Sequence, residues 1–208
     1  MTGIVSVWSA ELPLILASRS RIRLELIERA GLSPTVMVPD FDERAFEATL
    51  IRENLPPDER ASALASEKAR LASLLCPTQY AIGADQMLSC GQTVLHKPDT
   101  MDEARHQLAF LSGKTHQLTS AVSVARDGHI LFTHRDQAQM TMRTLDQNQI
   151  EAYCSRAGAA ILHSVGCYEL EGLGVHLFDR VEGDFFTVLG LPLEPLIGFL
   201  RREGCLLL

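Results

Sequence analysis

The chain has 208 residues, of which 46% are hydrophobic and 22% are charged. That composition excludes a mainly disordered protein, and the length fits one domain or a domain with two lobes. The formal net charge of −7 argues against a nucleic-acid-binding surface, because affinity for a phosphate backbone needs clustered cations. If the ligand is itself an anion, its countercharges have to be local, so the positions of arginine and lysine become informative.

Cysteine usage and hydropathy indicate the compartment. The five cysteines lie far apart and include no Cys-x-x-Cys pair, which argues against a disulfide framework and a structural zinc site. No apolar run approaches the ~18–20 residues that span a bilayer. The apolar N-terminus lacks a basic region and carries Glu11, so we interpret it as an irregular leader into a strand. We expect a cytoplasmic protein without a membrane partner.

The first predicted elements form a strand and a helix. Leu12 to Ala17 predicts a short buried strand, and the helical spacing that follows predicts a helix ending at Gly31. Ser18 or Ser20 suits the N-cap of this helix. Serines and arginines at such a helix start are typical of an anion site, because unpaired backbone N–H groups and the helix dipole point there. A capped helix with solvated arginines is an equally weighted alternative.

The next elements carry acids. Residues 36–43 predict a strand that ends in acids, and Asp58 to Leu75 predicts a helix. The run from Tyr80 to Ile82 predicts a strand that stops at Gly83.

Beyond this strand, Asp85 and Gln86 are followed by a predicted hairpin that turns at Cys90-Gly91 and returns to Lys97 before a proline. A carboxylate and an ammonium at the two ends of a hairpin suit a shared phosphate and its metal. A solvated strand end with a surface lysine is the alternative, and this segment alone does not decide between them.

The rest of the chain alternates helices and hairpins. A capping box at Thr100–Glu103 predicts the start of a helix that ends at Gly113. Residues 115–125 and 129–143 predict two strands of a hairpin around Asp127-Gly128. The pattern then predicts a helix 146–156, a strand 175–178 and a last helix 193–202. Two hairpins among alternating helices and strands predict a mixed sheet. The sequence lacks a P-loop, a dinucleotide-binding glycine motif and a serine-hydrolase elbow.

Several short motifs together resemble the Maf family of nucleoside triphosphate pyrophosphatases. In chain order they are Leu16-Ala-Ser-Arg-Ser-Arg-Ile-Arg23, Phe41-Asp-Glu43, Ser66-Glu-Lys-Ala69, Gly83-Ala-Asp-Gln86, Lys97-Pro98, Ser112-Gly113, Gly166-Cys-Tyr-Glu-Leu-Glu-Gly172, Glu182-Gly-Asp184 and Leu189-Gly-Leu-Pro-Leu193. The resemblance extends over nearly the whole chain. It implies one ITPase-like α/β domain over residues 1–208, in which a mixed twisted sheet is flanked by helices and a central cleft lies between two lobes.

The resemblance also implies roles for individual residues. Asp85 corresponds to the proton acceptor and to a metal ligand, and Glu43 corresponds to a second carboxylate near the metal. The matching phosphate ligands are Ser18, Arg23, Lys68 and Lys97. The implied cofactor is a divalent cation, Mg²⁺ or Mn²⁺, and the implied reaction cleaves the bond between the α- and β-phosphates. These side chains suit that chemistry, which needs a base, an oriented water and positive charge at the leaving pyrophosphate.

Three positions bear on the choice of base. The branch of the family that acts on thymidine and uridine triphosphates has Asp-Thr and Gln-Gly where this chain has Asp85-Gln86 and Glu171-Gly172. Gln86 with Glu171 is similar to the branch that prefers 7-methyl-GTP. A carboxylate accepts two hydrogen bonds from a guanine edge and attracts the cationic methylated base. Ile22 departs from that branch, which carries an aromatic residue there.

We therefore expect a pyrophosphatase that converts 7-methyl-GTP to 7-methyl-GMP and diphosphate and so keeps a modified nucleotide out of nucleic acid synthesis. Two alternatives stay open from the sequence: a dTTP/UTP pyrophosphatase, and a non-catalytic nucleotide-binding regulator of cell division. The sequence leaves the oligomeric state open, a homodimer included.

Overall fold

A computed structural model describes residues 6–208 of the chain, and the first residues of the predicted leader lie outside that range. The fold is α/β, with a mixed sheet flanked by helices. The strands are β1 (Ile15–Ala17), β2 (Thr35–Val36), β3 (Ala81–Cys90), β4 (Thr93–Leu95), β5 (Thr115–Arg126), β6 (His129–Met142) and β7 (Phe178–Glu182). Their order in the sheet is β2-β1-β3-β5-β6-β7, and β4 pairs with β3.

The helices lie between or after these strands, singly or in consecutive pairs. They are α1 (Arg21–Arg29), α2 (Glu43–Arg52), α3 (Pro57–Leu75), α4 (Met101–Leu111), α5 (Gln147–Ala157), α6 (Phe185–Val188) and α7 (Leu193–Arg202), with 3₁₀ turns at Gly158–His163, Val165–Cys167 and Leu173–Leu177. No helix among residues 6–208 is long and apolar enough to cross a membrane.

The chain forms two compact units, which we describe one at a time. Unit 1 comprises residues 6–85, Ser120–Asp136 and Gly190–Leu208. In it β1 runs parallel to both β2 and β3, so that Leu16 lies opposite Val36 on one side and Ile82 on the other. Ala72 of α3 is buried in a cluster with Ile15 of β1, which places α3 on this part of the sheet.

Unit 2 comprises Gln86–Thr119 and Gln137–Leu189. Here β4 pairs antiparallel with the end of β3, and β7 pairs antiparallel with the end of β6. The core of this unit is built from the inward faces of α4 and α5 and from the strands, with Leu108, Met140 and Ile150 among its buried residues. The capping box that opens α5 joins Asp146 and Gln149.

Most predicted elements are confirmed within one or two residues, and three predictions are wrong. β3 does not stop at Gly83 but continues for ten residues to Cys90, so Asp85 lies within a strand. The predicted strand 36–43 is only Thr35–Val36, because Asp42 caps a helix that starts at Glu43. The predicted strand 175–178 is a 3₁₀ turn up to Leu177, in which the backbone N–H of Val175 donates to the carbonyl of Gly172 three residues earlier.

Candidate functional site

The start of α1 in unit 1 organises two serines and an arginine. Ser20 is the N-cap, and its hydroxyl oxygen accepts a hydrogen bond from the backbone N–H of Arg23 at 3.5 Å. The hydroxyl oxygen of buried Ser18 accepts from the Ser20 backbone N–H at 3.2 Å and from Nη1 of Arg23 at 3.3 Å. A hydroxyl oxygen has two lone pairs, so the Ser18 O–H proton is the group that suits an incoming phosphate oxygen.

Arg23 is tied to the backbone of its own unit. Its Nε donates to the Gly190 carbonyl and its Nη1 donates to the Ala84 carbonyl, both at 2.8 Å. Burial lowers the pKa of this guanidinium, while the charges of Asp85 and Glu43 act in the opposite direction. A guanidinium has five N–H donors, and three are used here. Among the described residues no partner takes the two N–H groups of Nη2, so that nitrogen is the part of Arg23 with donors left for an anion.

Gly83 brings β3 and α3 close enough for side chains of the two elements to meet. A Cβ at this position would collide with the Ala65 carbonyl oxygen and would lie 2.5 Å from the Ala69 backbone nitrogen. Lys68 is next to Ala69 on α3, and Asp85 is two residues beyond Gly83 on β3. The close backbone contact therefore sets the lysine beside the aspartate, a consequence that only a residue without a side chain permits.

Lys68 lies between two carboxylates. Its Nζ is 2.8 Å from Oδ1 of Asp85 and 2.6 Å from Oε2 of Glu43. The Lys68 and Asp85 side chains are only 10% and 13% exposed, whereas that of Glu43 is 50% exposed. The cation holds together two acids that would otherwise repel each other. An ammonium has three donors, so one N–H remains for a phosphate oxygen.

Glu43 reaches this cluster through a helix that the sequence did not predict. Asp42 caps α2 by accepting from the backbone N–H of Ala45 at 2.9 Å, and Glu43 is the first residue of the helix. The sequence signal was present, since Asp42 stands directly before a run of good helix formers. The acids that we interpreted as a strand end are thus an N-cap and the first turn of a helix.

The donor set in unit 1 fits a magnesium ion only in part. No group of three or more histidines, cysteines or acids within residues 6–208 is arranged to hold a metal. Magnesium, however, is bound in many phosphate-transferring sites through one or two carboxylates, with water and substrate oxygens completing six ligands. Glu43 and Asp85 supply that number of carboxylates. They suit a cation that arrives with a triphosphate better than one held by protein alone.

Of the remaining predicted residues, Ile22 is half-buried on α1 in unit 1, and Gln86, Lys97 and Glu171 belong to unit 2. The side-chain amide of Gln86 donates to the backbone carbonyls of Thr187 and Val188 at 3.2 and 3.0 Å. Lys97 is exposed just after β4, and Pro98 beside it is buried. Glu171 is exposed in the turn before Gly172. Their roles toward a nucleotide stay predictions.

Asp184 is a residue of the late motif that the sequence left without a role. Its Oδ2 accepts from the backbone N–H of Thr187 at 2.7 Å and caps α6. This short helix presents the two carbonyls that receive the Gln86 amide. Because aspartate is a preferred N-cap residue, the sequence did contain the signal.

The segment that carries Glu171 is anchored by a buried polar pair. The Tyr168 hydroxyl lies 2.7 Å from Nε2 of His116, and both residues are almost fully buried. Desolvation lowers the pKa of His116 from 6.5 to about 4, so the imidazole is neutral at physiological pH. Gly166 precedes the pair at φ 76°, and a Cβ there would lie 2.5 Å from Leu88. These contacts fix the chain just before the predicted specificity residue.

A separate pocket of about 230 Å³ opens on unit 2 between α5 and the turn after Gly172. Two arginines, a histidine and several apolar side chains line it, among them Arg143, Arg156 and His176. None of the residues predicted to act on a nucleotide lines this pocket, so we do not assign the chemistry to it.

Comparison with known proteins agrees with the motif pattern. The family model described as Maf-like protein matches residues 13–203. The chain belongs to the Maf family. The matched range includes all five residues of the cluster in unit 1, which are Ser18, Arg23, Glu43, Lys68 and Asp85.

Curated relatives span the same length as this Maf chain. A protein of Nitrobacter hamburgensis named nucleoside triphosphate pyrophosphatase is 49% identical over 97% of this chain and 99% of its own. A Brucella abortus protein named 7-methyl-GTP pyrophosphatase is 48% identical over 93% of this chain and 97% of its own. A Rhizobium etli protein of the same name is 47% identical over 92% and 96%.

Proposed function

We propose that this Maf protein is a nucleoside triphosphate pyrophosphatase that hydrolyses 7-methyl-GTP to 7-methyl-GMP and diphosphate. The observation that carries the proposal is the Lys68 ammonium placed between Glu43 and Asp85. A bare binding protein has no need of two acids at the phosphates, whereas hydrolysis needs a base and a cation site. The names of the Nitrobacter and Brucella relatives support the reaction, and the second also supports the substrate.

In this proposal the residues of unit 1 bind the phosphates and activate water. Nη2 of Arg23, the Ser18 hydroxyl and the remaining N–H of Lys68 donate to phosphate oxygens, and the positive charge stabilises the leaving diphosphate. Asp85 accepts the proton of the attacking water. A Mg²⁺ or Mn²⁺ ion held by Glu43 and Asp85 would neutralise phosphate oxygens and orient the substrate.

The residues of unit 2 are proposed to act on the nucleotide as well. Lys97 contributes a point charge for a phosphate, and Glu171 accepts hydrogen bonds from the guanine edge. The amide nitrogen of Gln86 donates to the carbonyls of Thr187 and Val188, and we propose that this anchored side chain contributes to the choice of base. Ile22, on α1 in unit 1, offers an apolar surface in place of an aromatic face.

The cell compartment and the absence of a nucleic-acid partner belong to the same proposal. Five cysteines without a disulfide pattern favour the cytoplasm, and a net charge of −7 disfavours binding to a nucleic acid. A substrate that is a free nucleotide is compatible with both.

The test is a panel of triphosphates with and without magnesium, with release of diphosphate as the measurement. We expect 7-methyl-GTP to be hydrolysed faster than GTP, UTP and dTTP, and we expect EDTA to abolish turnover until Mg²⁺ or Mn²⁺ is restored. Equal or faster hydrolysis of UTP or dTTP would make the protein a pyrimidine-triphosphate pyrophosphatase. Tight triphosphate binding without release of diphosphate would favour a regulator.

A further inference from the structure

An ion pair outside the predicted site links the helix of Glu43 to the helix of Lys68. Nη1 of Arg60 on α3 lies 3.1 Å from Oε1 of Glu47 on α2, and the two side chains are only 8% and 14% exposed. Glu47 is one helical turn after Glu43, so the two acids lie on the same side of α2. Arg60 and Lys68 are both buried on α3. Two salt bridges therefore join the same pair of helices.

The rest of α2 holds it in place only weakly. In this helix, all of whose residues are described, Leu50 alone is buried. Half-buried Phe46 makes an edge contact with Phe41, which lies on the segment leading into the same helix. A helix with one buried apolar side chain has little hydrophobic burial to fix its position, because helices in proteins are stabilised chiefly by packing of an apolar face.

Burial of the Arg60 guanidinium costs free energy that burial of an apolar side chain would not. Its Nε is buried and lacks a hydrogen-bond partner among the described residues. A buried ion pair is often no more stabilising than apolar side chains of the same volume, so such a pair is explained better by the geometry it imposes. Here the geometry concerns the first residue of α2, the partly exposed Glu43.

We propose that Arg60 is a positioning residue: its ion pair with Glu47 holds α2 on α3 and thereby keeps the Glu43 carboxylate beside Lys68. The expected effect on metal affinity rests on the proposed function. The effect on the Glu43–Lys68 contact does not. Residues that orient a metal ligand from behind commonly change metal affinity by about 10–100-fold when they are removed.

The first experiment measures Lys68 without any activity. The protein is treated with an amine-acetylating reagent, and modification of Lys68 is followed by mass spectrometry in wild type, Arg60→Met, Arg60→Lys and Glu43→Gln. We expect Arg60→Met to expose Lys68 to the reagent as Glu43→Gln does, and Arg60→Lys to stay near wild type because it keeps the charge opposite Glu47. Unchanged Lys68 modification in a folded Arg60→Met protein would overturn the proposal.

The second experiment measures the Mg²⁺ concentration that gives half-maximal hydrolysis. We expect Arg60→Met to raise it about 10-fold, with Arg60→Lys restoring most of the affinity. Arg105→Met is the matched control, because Arg105 also pairs with a glutamate of a neighbouring helix, Glu151, within unit 2. A merely structural role would lower the melting temperature of Arg60→Met and leave the magnesium dependence unchanged, which would refute the inference.

Arg60→Met leaves Glu47 buried beside an apolar side chain, so the double variant Arg60→Met/Glu47→Leu guards against a protein that does not fold. Removing both charges avoids a buried acid that has lost its pairing with Arg60. We expect the double variant to fold and still to show raised Lys68 modification. A folded double variant with wild-type modification would contradict the positioning role. Failure of the wild type to release diphosphate would refute the proposed function and leave the Lys68 comparison as the test of this inference.

Discussion

A Cβ atom on Gly83 would lie 2.5 Å from the backbone nitrogen of Ala69. Strand β3 and helix α3 thus touch through their backbones, directly beside the residues that carry the proposed chemistry. Lys68 precedes Ala69 and Asp85 follows Gly83 by two residues. The distance of 2.8 Å between their charged groups is a consequence of this close approach.

Substituting Gly83 with alanine should therefore separate β3 from α3. Overpacking of this kind typically costs about 1–3 kcal/mol, and we expect a free energy of unfolding lower by that amount together with a large loss of hydrolysis. Urea denaturation and a kinetic assay measure the two effects. Gly198→Ala is the matched control: its Cβ would meet only Arg202 at 3.6 Å, and alanine is the better helix former. Equal stability of the two variants would contradict the packing argument.

Replacing Asp85 with asparagine should reduce kcat by at least ~10²-fold, because the variant loses the proposed proton acceptor and keeps the shape of the side chain. Asp102→Asn is a suitable control, since that exposed acid pairs only with Arg105 among the described residues and lies in unit 2. Full turnover by the Asp85 variant would rule out the proposed role of Asp85.

Replacing Glu171 with glutamine should weaken the preference for 7-methyl-GTP over GTP, while hydrolysis of the phosphates continues. The ratio of the two kcat/KM values should fall by about 10-fold, because a neutral amide no longer attracts the cationic base. In addition, the amide N–H groups would face the N–H groups of the guanine edge and could not bond to them. Glu169→Gln, an exposed acid in the same segment, serves as the control. An unchanged ratio would remove Glu171 from the choice of base.

The buried histidine predicts how stability depends on pH. The pKa of His116 is lowered in the folded protein from 6.5 to about 4, so the unfolded chain takes up the proton at a higher pH. The neutral imidazole therefore makes its full contribution to the unfolding free energy above pH 6.5, and this contribution is lost as the pH falls from about 6.5 to about 4. A shift of this size corresponds to about 3 kcal/mol of unfolding free energy.

The measurement is the unfolding free energy from urea titrations between pH 7.5 and pH 4.5, in wild type and His116→Gln. We expect the variant to lose much of the pH dependence in this window, whereas His129→Gln, at an exposed position, should keep it. A wild-type slope in the His116 variant would show that other groups cause the dependence.

The sequence by itself determined the family and most of the elements. Charged residues in the order Arg23, Glu43, Lys68 and Asp85, each inside a short motif, were enough to predict a family and a set of roles. Helical spacing located α1, α3 and α7, since such spacing depends on neighbours a few residues apart. Local signals also misled: the acids at the end of residues 36–43 suggested the end of a strand, although Asp42 is the cap of a helix.

Only the tertiary structure decided how these residues are used. Nothing local in the chain shows that three donors of Arg23 are taken by Ser18, Ala84 and Gly190, or that Lys68 joins two acids from different elements. Such contacts depend on how closely two backbones approach, and that distance follows from packing between residues distant in sequence. Arg60 and Glu47 belong to no motif, and their role became visible only when α2 and α3 were seen side by side.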